Sequence, residues 1–135
     1  MKKEVLLVDD EVLHNKINEM LLEKSPLVGN VASVTTGKDA LSLLEARFYG
    51  RKPFPEVILL DINMPMMNGF QFLEKLHDHG IIDPAELHIV MLSSSFDPRD
   101  KQRALELGIE DYSEKPLKPE HIRKYLEIRD PAIAS

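Results

Sequence analysis

The chain has no cysteine. Disulfides and thiolate metal sites are therefore excluded, and the absence fits a reducing compartment, so the expected location is cytoplasmic. Long apolar runs are missing as well. The opening MKKEVLLVDD starts like a signal peptide, but its apolar run is far shorter than an h-region and acids follow at once. Nothing approaches a membrane span. Nor is there a basic excess: 17 Lys and Arg against 23 Asp and Glu give a net charge of −6, the wrong sign for binding nucleic-acid phosphates. Sequence repeats and low-complexity segments are also absent. With 43% hydrophobic and 30% charged residues over 135 positions, the chain is an ordinary globular one, large enough to bury a core without staples. The expectation is one domain over residues 1–135 with no second domain attached, and Pro131 discourages further helix near the end.

Three short apolar runs are present: Val5–Val8, Val57–Leu60 and Ile89–Leu92. Each is continuous rather than alternating, which is how strands buried on both faces of a parallel sheet read. Asn30–Val34 and Ile109–Ser113 are weaker strand candidates. Helical patterns fill the gaps. Leu13, Ile17 and Leu21 predict an amphipathic first helix with these residues on its buried stripe. Thr36 and Asp39 suggest a capping box opening a helix that holds Leu41 and Leu44. The exposed loop YGRKPFPE, Tyr49–Glu56, follows. Asn68-Gly69 reads as a turn into a third helix lined by Phe70, Leu73 and Leu76 and stopped by Gly80. Asp97-Pro98 supplies an N-cap and a first-turn proline for a fourth helix, with only Ala104 and Leu107 as core anchors before Gly108. Pro119, Ile122, Tyr125 and Leu126 mark a fifth. The predicted order is (βα) five times: an α/β fold with an open, doubly wound parallel sheet covered by helices on both faces.

Acids close the first and third predicted strands, in Asp9-Asp10 and Asp61; Ser93 closes the fourth, and Lys115-Pro116 follow the fifth. Open α/β sheets bind ligands beyond the carboxyl ends of their strands, where the strand order reverses. A 2-1-3-4-5 order would set strands one and three side by side and gather three carboxylates. Their repulsion would amount to several kcal/mol at an effective dielectric of about 20, and a divalent cation with one ammonium would remove it. With no thiolate, and with His14, His77, His79, His88 and His121 scattered as surface or packing residues, an all-oxygen site fits Mg²⁺ better than Zn²⁺.

VLLVDDE, VILLDINMP…NG, VMLSSS and YSEKPL, in this order and spacing, resemble the motifs of the response-regulator receiver (CheY-like) family of two-component signalling. The resemblance covers essentially the whole chain and implies the flavodoxin-like order 2-1-3-4-5. It implies that Asp61 accepts a phosphoryl group from a phosphohistidine on a sensor histidine kinase or histidine phosphotransfer protein. Asp10, Asp61 and the Asn63 carbonyl would bind Mg²⁺, with Asp9 acting mainly through water. Lys115 would pair with Asp61 and then with a phosphoryl oxygen, Ser93 would donate its hydroxyl to another, and Tyr112 would be the switch aromatic. Asn63 and Ser95 would border the path of the hydrolytic water, and the Lys115–Pro116 bond would be cis. Phosphorylation would then reshape the face made by the fourth helix, fifth strand and fifth helix, for a downstream protein. The chain would act as a monomer or a phosphorylation-dependent dimer, and as no enzyme beyond its own phosphorylation and dephosphorylation.

Each residue has an ordinary alternative when taken alone. Asp9 and Asp10 could cap a helix, Asp61 could belong to a turn, Lys115 could be a surface lysine and Tyr112 a half-buried strand aromatic. Met64, Met66 and Met67 read as loop and helix packing. What separates the readings is the joint placement at four strand ends. Two other functions use similar residues. A haloacid-dehalogenase-type Mg²⁺-dependent phosphatase has its nucleophile near the N-terminus and a second acid two residues later; here the acid pair comes first and Asn63 stands where the acid belongs. A phosphorylation-independent binding module would not need the acceptor, acids, hydroxyl and lysine together.

Overall fold

The computed structural model describes residues 2–50, 52–80, 87–95, 97–109 and 111–127. Strands β1 (Lys3–Val8), β2 (Val28–Val34), β3 (Val57–Asp61), β4 (His88–Ser93) and β5 (Asp111–Glu114) alternate with helices α1 (Val12–Glu23), α2 (Gly37–Gly50), α3 (Gly69–His79), α4 (Pro98–Glu106) and α5 (Pro119–Glu127). The strands form one sheet in the order β2-β1-β3-β4-β5, every pairing parallel. This is the expected (βα)5 doubly wound, flavodoxin-like arrangement. The expectation of no helix around Pro131 falls outside the described residues.

The strand pleat divides the core. Leu6, Val8, Ile58, Leu60, Ile89 and Met91 face one layer with Ala40, Leu44, Phe70, Phe72, Leu73, Leu76 and Ala104 from α2, α3 and α4. Val5, Leu7, Val57, Leu59, Val90 and Leu92 face the other, with Leu22 of α1 and Ile122, Tyr125 and Leu126 of α5. Alternate side chains of a strand point to opposite faces, so a strand buried on both must be apolar throughout.

Five local expectations need correction. Leu13 and Ile17 are not on the buried stripe of α1; they are 66% and 50% exposed, and the helix buries Asn15, Asn18 and Leu22 instead. The apolar spacing is genuine, but the helix is rotated so that the Asn15 amide meets the Asp9 and Val34 carbonyls at the end of the sheet. Leu107 is also exposed, at the C-cap, leaving Ala104 as the buried residue of α4. β5 starts at Asp111, and Ile109 packs into the core from the connection before it. Tyr49 and Gly50 belong to α2, while Phe54 and Pro55 of the following loop tuck inward. The α2 cap is half a box, with Thr36 Oγ1 accepting from the Asp39 amide at 3.0 Å. The full reciprocal box is at α3, between Asn68 and Gln71, and Gly80 closes that helix in the left-handed region at φ 70°.

Candidate functional site

The β1, β3, β4 and β5 ends meet at one edge of the sheet. Asp9 leaves β1 with its amide on the Val34 carbonyl (3.2 Å) and its Oδ1 accepting from the Glu11 amide (2.9 Å). That contact is turn chemistry at the start of α1, which has no side-chain cap from Glu11 itself. The same carboxylate serves a second purpose: its Oδ2 accepts from the Lys115 ammonium at 2.8 Å. Lys115 Nζ also lies 3.2 Å from Asp61 Oδ1. The lysine therefore bridges β1 and β3, rather than pairing with Asp61 alone.

Asp61 is the last residue of β3 and is 3% exposed, as is Asp9; Asp10 is half-buried. One carboxylate oxygen from each of the three lies within 4.8 Å of the others. At that separation each ionised pair repels by about 3 kcal/mol at an effective dielectric of about 20. Asp61 itself has its pKa pushed up to about 6. Burial is the main cause; Lys115 opposes it and the Asp9 charge adds to it. Burial also works against the Lys115 charge, but hydrogen bonding to Asp9 and the two carboxylates outweigh it and hold the lysine above its ordinary value.

The surrounding loops fix this group. The Lys115 amide donates to the Ser93 carbonyl (2.7 Å), and the Lys115–Pro116 bond is cis. Ser93 is fully buried; its hydroxyl donates to the Ser95 carbonyl and accepts from the Ser95 amide at 3.2 Å. Ser95 itself is exposed. The Asn63 amide donates to Asp61 Oδ1 (3.2 Å) while its side chain is exposed. Gly69 folds the β3–α3 loop back so tightly that an added Cβ would meet the Asp61 carbonyl oxygen at 2.8 Å. Tyr112, beside Met91 on β4, is half-buried against the layer under α2–α4.

Two neighbours of the acids have no counterpart in the motif-based reading. His14 Nδ1 lies 3.4 Å from Asp9 Oδ2. Asn15, 4% exposed, donates its side-chain amide to the Asp9 carbonyl (3.0 Å) and the Val34 carbonyl (3.2 Å). The available signal was an asparagine among apolar residues of α1, which apolar spacing alone assigns to the wrong face. Met66 sits in the left-handed region at φ 68° and is fully exposed, so it contributes nothing to packing; Met64 is buried.

A doubly wound parallel sheet with carboxylates, a hydroxyl and a lysine at its strand ends is a flavodoxin-like α/β domain with an acidic cluster at the switch point. The model of the response regulator receiver domain matches residues 5–127, and the chain belongs to that family. It is similar to a probable transcriptional regulator, ycf27, of Guillardia theta: 33% identical over 133 residues, covering 98% of this chain and 45% of the relative. A crystal structure of a two-component response regulator from Cytophaga hutchinsonii superposes with a TM-score of 0.82 at 30% identity, covering 93% of this chain and 95% of that one. The chemotaxis protein CheY4 of Vibrio cholerae gives a TM-score of 0.72 at 28% identity, with coverage of 93% and 97%. The chain spans about half the length of the first curated relatives it matches.

The donor set suits a hard divalent cation. The three clustered groups are all carboxylates, with no sulfur or imidazole among them, and the depth of two of them makes uncompensated charge costly. Among the described residues, no helix is long and apolar enough to cross a membrane.

Proposed function

We propose that this receiver domain accepts a phosphoryl group on Asp61 from a phosphohistidine carried by a sensor histidine kinase or histidine phosphotransfer protein. The observation behind this reading is the buried Asp61 carboxylate, within 4.8 Å of Asp9 and Asp10 oxygens and 3.2 Å from the Lys115 ammonium. In the transfer, an Asp61 oxygen bonds to phosphorus as the donor's phosphorus–nitrogen bond breaks. The departing imidazole keeps the electron pair and takes up a proton. A carboxylate approaching a dianionic phosphoryl group must have that charge masked, so positioning and electrostatics do most of the catalysis. Lys115 turns from its carboxylates to a phosphoryl oxygen. Ser93 offers its hydroxyl once its bond to Ser95 opens. Asp10, Asp61 and the Asn63 carbonyl would hold Mg²⁺, with Asp9 acting mainly through water. When bound, Mg²⁺ neutralises phosphoryl and carboxylate charge together. Asn63 and Ser95, both exposed and polar, border the route by which water removes the mark.

The donor is a protein rather than a small metabolite. α1 starts two residues after Asp10 and presents Val12, Leu13, Ile17 and Met20 at 50–66% exposure. A pocket of about 240 Å³, lined by His14, Ile17, Asn18, Lys115 and Pro116 among others, joins that apolar face to the lysine. A donor helix seated there brings its phosphohistidine over Asp61. The output follows from the added charge, about two negative units at the end of β3. Ser93 moves toward the phosphoryl group and Tyr112 swings into the space it leaves. α4, held by Ala104, shifts at low cost, and the α4–β5–α5 face changes shape for a downstream protein.

Incubation with Mg²⁺ and acetyl phosphate, read by intact-protein mass, tests the chemistry. Wild type should gain one hydroxylamine-sensitive phosphoryl group, and neither Asp61→Asn nor wild type without Mg²⁺ should gain any. Labelling of Asp61→Asn would sink the assignment. Sustained turnover of a small phosphomonoester would instead favour a phosphatase.

A further inference from the structure

We infer that Asn15 is a positioning residue for the acid cluster, a strap that fixes the Asp9–Asp10 turn in the geometry that takes a divalent cation. This rests on the reading of the site just given. The face of α1 against the sheet is where an apolar side chain belongs, and Leu22 fills it one end further on. At Asn15 the chain instead buries an amide, 4% exposed, whose Nδ2 reaches two backbone carbonyls at once: Asp9 O at 3.0 Å and Val34 O at 3.2 Å. Those carbonyls belong to the ends of two neighbouring strands, and the Val34 carbonyl also accepts the Asp9 amide. Both partners are oxygens, so chemistry fixes which end of the amide faces them.

The other end shows that packing is not the reason for the residue. Asn15 Oδ1 is buried with no hydrogen-bond donor among the described residues. A buried acceptor without a donor is unfavourable, and an apolar side chain at this position would avoid that cost. The return for this cost is a rigid turn. Three carboxylates held within 4.8 Å push one another apart, and two of them sit on the short turn between β1 and α1. Asp9 is tied by its side chain to Glu11 and Lys115, and by its carbonyl to Asn15. With the carbonyl released, the turn relaxes outward and the acids must be regathered each time a cation binds. Groups just outside a metal's ligands commonly change its affinity by about 10–100-fold.

The experiment compares Asn15→Leu, Asn15→Ala and the milder Asn15→Ser with Leu22→Ala, a control buried on the same helix face away from the acids. Mg²⁺ affinity is measured by calorimetric titration, and melting temperature is recorded in chelator. The expected result is Mg²⁺ binding weakened about tenfold or more in Asn15→Leu and Asn15→Ala, with a smaller loss in Asn15→Ser. Leu22→Ala should melt earlier yet bind Mg²⁺ within about twofold of wild type, since its ligands are untouched. With acetyl phosphate, the Asn15 variants should need more Mg²⁺ for half-maximal labelling and recover toward the wild-type rate at saturating Mg²⁺. Variants that bind Mg²⁺ as wild type does, or lose affinity only in proportion to melting temperature in line with Leu22→Ala, overturn the strap. If wild type binds no Mg²⁺ at all, the cation-dependent reading fails, and the inference built on it fails too.

Discussion

Helices α1 and α3 each follow a strand that feeds the acid cluster, and their lengths are similar at 12 and 11 residues. They attach to the sheet in opposite ways. α3 opens on a reciprocal capping box, closes on a left-handed glycine and buries Phe70, Phe72, Leu73 and Leu76. α1 has neither a capping box nor a left-handed glycine, buries two asparagines and Leu22, and turns Val12, Leu13, Ile17 and Met20 to solvent. Each large apolar side chain taken out of water contributes about 1.5–3 kcal/mol, so α3 is anchored by burial. α1 gives up much of that burial to place an amide on the strand ends and an apolar surface beside the pocket. The contrast separates a helix that holds the fold from one that serves the site.

The sharpest way to break this contrast is Leu73→Ala. Leu73 is 3% exposed inside the larger apolar layer, so its truncation should cost about 2–5 kcal/mol in denaturant unfolding with chelator present. A cost below about 1 kcal/mol would mean that α3 is not held by its apolar face.

Next in size is the acid cluster. Asp61 has its pKa raised to about 6 in the folded protein, against about 3.9 for a free aspartate. Between those values the folded state holds a proton that the unfolded state has released. Cation-free stability should therefore fall as pH rises from about 4 to about 6, with the full cost standing above 6. Asp61→Asn removes it, and should add about 1–3 kcal/mol at pH 7.5 in chelator while adding nothing below about pH 4. Mg²⁺ should raise the melting temperature of wild type more than that of the variant. A variant no more stable than wild type at pH 7.5 would show that the carboxylates do not burden the fold.

The helix ends give a smaller difference. At Gly80, φ is 70° and an added Cβ would meet nothing within 4 Å among the described residues, so Gly80→Ala should cost about 1–2 kcal/mol through the backbone. At Lys24 the α1 C-cap is right-handed with φ −77°, and Lys24→Ala should stay within about 0.5 kcal/mol. Equal costs at the two ends would remove the distinction.

The sheet was legible because each apolar run carries its own evidence: a strand buried on both faces has no other way to read. The acids and hydroxyl were legible for a related reason, since each ends a run whose position was already plain, and Lys115 was legible through its place after the weaker fifth strand. α1 was misread because apolar spacing reports that a helix has two faces and not which one meets the sheet. That choice depended on Asn15 finding two carbonyls and on Leu22, facts of tertiary contact. Leu107 was misread similarly, because the helix ends before it could turn inward. Lys115 was placed at the site, but its shorter contact with Asp9 depends on how far β1 and β5 ends lie apart, which spacing along the chain does not encode.

The smallest stability effect carries the functional half of the contrast. Leu13 and Ile17 are exposed, so replacing each with alanine should change unfolding free energy by no more than about 0.5 kcal/mol. Labelling by acetyl phosphate should be unchanged, because a small donor has no use for the α1 face. Transfer from a phosphorylated histidine phosphotransfer protein that labels wild type should slow by about tenfold, the scale of losing one anchor residue at a protein interface. Ile17 should matter more than Leu13, since it lines the pocket beside Lys115. Equal slowing with both donors would move the effect into the site itself, and no slowing with either would leave the exposed face of α1 without a part in transfer.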